Sequence, residues 1–131
     1  MKITTYIDFI KKEFSEIQKR FKMVWVDEGE YGIILENQHI KVTFFTERGE
    51  SNDSIGIPIT NKEKDEFYDL PLIIERLEIQ GEYNDDAFLS KIQSMNDSIE
   101  IIVYAARVIL ENYTSKIFTG DFSEVGEGYP N

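Results

Sequence analysis

In three stretches between Tyr31 and Thr60 apolar residues recur at every second position, and no other feature of the chain limits its fold as strongly. Tyr31, Ile33 and Leu35 alternate with Gly32, Ile34 and Glu36. Ile40, Val42 and Phe44 alternate with Lys41, Thr43 and Phe45, and Ile55, Ile57 and Ile59 with Gly56, Pro58 and Thr60. Successive side chains of an extended strand point to opposite faces, so this is the pattern of strands with one buried face. Met23-Val24-Trp25-Val26 adds a short apolar run ahead of them. Asp27 to Glu30 reads as a turn, Asn37-Gln38 as a tight connection and residues 47–53 as a longer polar loop. Four short strands joined this way predict an antiparallel meander. Pro58 has no N–H to give a ladder, which predicts that the fourth strand lies at a sheet edge.

On either side the period lengthens. Tyr6, Ile10, Phe14, Ile17 and Phe21 recur at steps of three and four, the stripe of an amphipathic helix that Thr4 or Thr5 could cap. After a charged loop over residues 61–66, Asp69 can cap a helix with Pro71 in its first turn and Leu70, Ile73, Ile74 and Leu77 as its stripe, ending at Gly81. Asn84-Asp85-Asp86 offers a further cap before Phe88, Leu89 and Ile92. A long stripe from Ile99 to Ile117, widened by Tyr104 and Ala105 and closed by Gly120, predicts a helix buried on several sides. The expected fold is therefore α+β: an N-terminal helix, a four-stranded antiparallel meander and C-terminal helices packed on one sheet face. Residues 1–120 form one domain in this reading. Residues 121–131, with Gly126, Gly128 and Pro130, form a flexible acidic tail. The second sheet face, with Ile34, Lys41 and Phe45, is either thinly covered or available to a partner.

Chemistry is scarce. The 131 residues include no cysteine and one histidine, His39. Disulfides, thiolate metal sites and a cysteine nucleophile are excluded, and any histidine-based triad would rest on His39 alone. The acids cluster at 27–30, 63–69 and 82–86, where turns and helix caps favour them for local reasons. EF-hand spacing and Gly-rich phosphate loops are absent. The chain is thus expected to be no enzyme and to carry no cofactor or metal. Asp8 interrupts any leader-like apolar run, and Ile101–Leu110 is about half the roughly 20 residues a membrane span needs, so a cytoplasmic location with no membrane contact is expected.

The net charge is -11 and uneven. Residues 1–22 hold six basic residues against Asp8, Glu13 and Glu16, a balance of +3, which leaves -14 for the rest. That surface repels nucleic acid and attracts cationic partners. The candidate partner-binding residues are Asp27, Glu28, Glu30, Glu47, Glu50, Asp53, Glu63, Asp65, Glu66 and Asp69, with Tyr68 and Tyr83 among the aromatics near them. Acids steer a basic partner and aromatics anchor it. The aromatics equally suit a core, and both roles stay open at this point.

The run Tyr31-Gly-Ile-Ile-Leu-Glu-Asn, followed by His39-Ile-Lys-Val-Thr-Phe-Phe-Thr-Glu-Arg48-Gly-Glu and then Phe67-Tyr68-Asp69-Leu70, resembles a pattern in small bacterial immunity proteins of polymorphic toxin and contact-dependent growth inhibition systems. It covers the middle third of the chain. The resemblance implies a cognate protein toxin, often a nuclease, whose basic active site an acidic protein could block, and it carries over no catalytic residue. The alternative is a small-ligand-binding or regulatory domain that uses the partly covered sheet face. The pattern also permits a homodimer through an edge strand.

Overall fold

Every second residue of the extended segment turns inward, and the helices meet it there. In the computed structural model, which describes residues 2–47 and 54–131, the strands form one antiparallel sheet in chain order. They are β1 (Val24–Val26), β2 (Gly32–Glu36), β3 (Ile40–Phe45), β4 (Ile59–Asn61), β5 (Glu66–Tyr68) and β6 (Tyr129–Pro130). Ile33, Leu35, Val42, Phe44, Ile59 and Tyr68 are buried on the inner face. They join Ile3, Ile10, Phe14 and Ile17 from the N-terminal helices and Val103, Ala106 and Leu110 from the long C-terminal helix in one continuous core. Phe14 meets Phe44 edge-on at 5.0 Å.

The N-terminal stripe is realised in three pieces: a 3-10 turn (Ile3–Tyr6), α1 (Ile7–Glu13) and α2 (Ser15–Arg20). The helix breaks at Phe14, whose backbone leaves the helical region while its ring stays buried. Thr4 and Thr5 lie inside the 3-10 turn and cap nothing; the turn is tied instead by the Ile3 amide donating to the Glu30 carbonyl at 2.7 Å. The aspartate caps are as expected. Asp69 accepts from the Leu72 amide at the start of α3 (Leu70–Leu77) and Asp85 from the Phe88 amide at the start of α4 (Asp86–Gln93). Asp97 caps α5 (Ser98–Tyr113), and its second oxygen accepts from the Tyr6 hydroxyl at 2.8 Å, fixing α5 to the N-terminus. Arg107, the one charge in the apolar run of α5, lies between Glu13 and Glu111 at 2.9 and 3.0 Å and ties α1 to α5. Two helix ends come early. Glu78 takes the left-handed conformation just after α3, ahead of Gly81. The stripe of α5 passes into a separate 3-10 turn (Ser115–Thr119), which Gly120 closes.

The sheet has six strands where four were expected. The charged stretch 62–65 is a tight turn rather than a loop, and β5 follows it with only three residues, too few for alternation to be visible. Asn61 builds that turn: it is buried, and its side-chain oxygen accepts from the Glu63 and Lys64 amides at 3.1 and 3.3 Å. β4 is interior, not an edge. Pro58 sits just before it and uses only its carbonyl, which accepts from the Thr43 amide at 3.1 Å, so its missing N–H costs nothing.

The expected loose tail is packed instead. Phe122 and Val125 are buried, and Phe122 stacks on Tyr68 with ring centroids 5.6 Å apart. Arg76 donates from Nη1 to the Val125 and Glu127 carbonyls at 2.9 and 2.8 Å, and the Tyr68 hydroxyl donates to the Gly126 carbonyl. Glu66 accepts from the Gly128 amide at 3.0 Å. Gly128 is needed for closeness, since a Cβ there would lie 2.6 Å from the Phe67 carbonyl oxygen. These contacts bring Tyr129–Pro130 alongside β5 as the edge strand.

At the β2–β3 turn Asn37 joins three elements. Its Nδ2 donates to the carbonyls of Phe21 and Phe118 at 3.1 and 2.9 Å, and its Oδ1 accepts from the His39 and Ile40 amides at 2.8 and 3.1 Å. Asn37→Ala should destabilise by about 2–3 kcal/mol, because it strands two carbonyls and loosens the β2–β3 turn. Chemical denaturation checks this. Ending the chain after Gly120 should cost about 4 kcal/mol or more, since it removes two buried side chains and uncovers Tyr68. A melting temperature unchanged by that truncation would show that the segment contributes nothing to the fold.

Candidate functional site

The outer sheet face has little covering it. Across all six strands the register sets Val24, Glu36, Lys41, Thr60, Phe67 and Tyr129 in one row on this face. Among the described residues four large apolar side chains are exposed, Val24 (55%), Phe45 (39%), Leu89 (44%) and Tyr129 (43%). All but Leu89 lie on this face. A groove of about 650 Å³ runs here between Phe45 and Phe67 on the sheet, Ile57 just before β4, and Leu70, Pro71 and Ile102 on the helices. Lys41, Thr43 and Thr60 supply its polar floor. The Phe45 ring lies directly over Gly56, where a Cβ would sit 2.3 Å from its Cε1. The Phe67 and Tyr129 rings are 5.3 Å apart. The signal for Phe45 lay in its odd-numbered place on β3. Tyr129 and Val24 carried no such signal, because each owes its position to an edge strand of only two or three residues.

The candidate acids fall into several environments. Antiparallel topology puts the β1–β2 turn at one end of the sheet and the β4–β5 turn at the other. At the first end Asp27 is exposed, while Glu28 pairs with Lys11 at 2.7 Å and Glu30 with Lys2 at 3.5 Å. Both pairs are solvent-exposed and contribute little to stability. Glu47 is exposed just beyond β3; Glu50 and Asp53 lie outside the described residues. At the other end Glu63 and Asp65 are exposed, and Asp65 also accepts from the Asn131 side chain at 2.9 Å. Glu66 and Asp69 are engaged by the fold, one with Gly128 and the other as the cap of α3. Tyr68 is a core residue, 1% exposed, and offers no surface to a partner. Its place on β5 turns it inward. Tyr83 is half-buried and packs edge-on to Phe88 at 5.5 Å.

His39 is half-buried, with Nε2 3.0 Å from the Gln38 amide nitrogen and its ring against Gly120. Among the described residues, no group of three or more histidines and carboxylates stands where it could hold a metal ion, and no helix is long and apolar enough to cross a membrane. No family model, no curated protein and no solved structure matches the chain.

One titrating group reports on the packed C-terminal segment. Burial pushes the Tyr68 hydroxyl above its ordinary value of 10.0, Glu66 and Glu127 raise it further, and Arg76 opposes them. The fold favours the neutral hydroxyl. Stability from this group is therefore complete below about pH 10 and falls as pH rises through the raised value. Thermal unfolding followed between about pH 9 and pH 11 should show that decline, and Tyr68→Phe should flatten it. An equally steep decline in Tyr68→Phe would assign the alkaline loss to other groups.

Proposed function

We propose that the protein is a cytoplasmic immunity protein, with no bond-making activity of its own, that binds and neutralises a basic toxin domain through its outer sheet face. One observation carries this reading: Val24, Phe45 and Tyr129 stand exposed on a single, thinly covered face, with exposed acids at both ends of the sheet. Apolar patches rimmed by polar residues are characteristic of protein-binding surfaces. The aromatics would be desolvated at the centre of the contact. Asp27 at one end, with Glu28 and Glu30 partly offset by their lysines, and Glu63 and Asp65 at the other, would draw in and orient a cationic mate. The resemblance to immunity proteins points the same way. A second reading, a small-ligand site, draws support from the groove itself, whose volume of about 650 Å³ lies within the usual range for ligand pockets.

The test uses the product of the adjacent gene, which this reading expects to carry a basic toxin domain. A stable complex is expected, with Phe45→Ala and Tyr129→Ala each raising its dissociation constant by about 10–100-fold. The paired reversals Glu63→Lys and Asp65→Lys should slow association and flatten its dependence on salt, since exposed charges act over about 8 Å at physiological ionic strength. Failure to form a complex, or affinity indifferent to all four changes, would reject the reading. Tight capture of a small apolar molecule in the groove, with no protein complex, would favour the second.

A further inference from the structure

We infer that a second cavity, at the end of the sheet beside the β2–β3 turn, binds a small organic phosphate of about mononucleotide size. The cavity has a volume of about 700 Å³ and is separate from the groove on the outer face. Its wall reverses the charge of the molecule around it. Arg20, Lys22 and Lys62 line it against a single acid, Glu36, in a chain whose net charge is -11. Lys62 is held by Glu36 at 2.9 Å and donates to the Asn37 carbonyl at 2.6 Å. Arg20 and Lys22 form no ion pair among the described residues.

The ordinary role of basic residues at a helix C-terminus does not account for these two. The end of α2 is closed by other means: its Phe21 carbonyl accepts from Asn37, and the Met23 amide donates back to the Gln18 carbonyl at 2.9 Å. That last bond marks the helix-ending turn in which the residue after the cap adopts a left-handed backbone and is usually glycine. Here it is Lys22, at φ 54. A residue with a Cβ is strained there, and glycine would not be. The lysine weakens the turn, as Glu78 does after α3, and here it also supplies a cation to the cavity. Arg20 is also placed: its guanidinium carbon lies 4.9 Å from the centre of the Phe21 ring, within cation–π reach.

The remaining lining defines the ligand. Phe21, Phe118 and the exposed Val24 supply an apolar floor, while Gln38, His39 and Thr119 add polar groups around it. A dianionic phosphate between Arg20 and Lys22, with an organic portion on the floor, satisfies both parts. A long polyanion does not suit the site, because it would run out onto acidic surface, and the volume is that of a small-molecule pocket.

Amide spectra of the full chain, titrated at low salt with adenosine monophosphate, inorganic phosphate and adenosine, test this. Adenosine monophosphate should shift Lys22, Val24, His39 and Thr119, inorganic phosphate the same residues more weakly, and adenosine should bind about tenfold more weakly or not at all. Lys22→Gly is the informative variant. It should raise the melting temperature by relieving the backbone, yet weaken adenosine monophosphate by about fivefold or more, so that lost binding cannot be lost folding. Arg20→Ala should weaken binding to a similar degree. The inference is overturned by no shift up to about 10 mM adenosine monophosphate, by shifts located elsewhere, by equal binding of adenosine, or by unchanged affinity in Lys22→Gly. Tighter binding of a single-stranded oligonucleotide than of the mononucleotide would overturn it too, because the ligand would then be a phosphate backbone.

Discussion

A strand that buries one face must leave the other to something else, and this constraint organises the molecule. The two-residue period from β1 to β4 sends Ile33, Leu35, Val42 and Phe44 under the helices. The same period sends Val24, Phe45 and Thr60 outward. Burial of apolar area drives the first set. Because only the ends of α3 and α5 and the stretch before β4 flank the second set, the core and the candidate binding face are two consequences of one pattern.

An open sheet also has two edges, and the chain treats them differently. One is β6, two residues long and stapled by Arg76, Glu66 and the Tyr68 hydroxyl, which cover the side of β5. Very short edge strands limit unwanted pairing with other chains. The other is β1, three residues long, with Val24 exposed at its start. The cavity lined by Arg20 and Lys22 opens beside that residue. Asn37 lines this cavity and holds the end of α2, the β2–β3 turn and the last 3-10 turn with one side chain.

Charge is sorted by the same geometry. Lys2 and Lys11 of the basic N-terminal segment are paired with Glu30 and Glu28, which moderates the acidity of the β1–β2 turn. Lys22 and Arg20, from the same segment, face the cavity instead. A count of charges along the chain finds a basic start and an acidic remainder. Only the fold shows that part of the basic start neutralises the acids and part stands apart from them.

Much was legible from residues alone, and the reasons are local. The α+β class, the inward faces of β2 and β3, and the caps at Asp69 and Asp85 follow from periodicity and from the preference of aspartate for a helix start, both set by near neighbours in sequence. What lies far apart in sequence was decided only by tertiary packing. Glycine and proline in residues 121–131 look like flexibility until Phe122 finds Tyr68 and Gly128 allows β6 to approach β5. Tyr68 itself reads as a surface anchor until that contact buries it. Pro58 reads as an edge until its carbonyl alone is seen to be used. In each case the deciding contact joins segments brought together by the core, and a short edge strand owes its existence to the neighbour it pairs with rather than to its own residues.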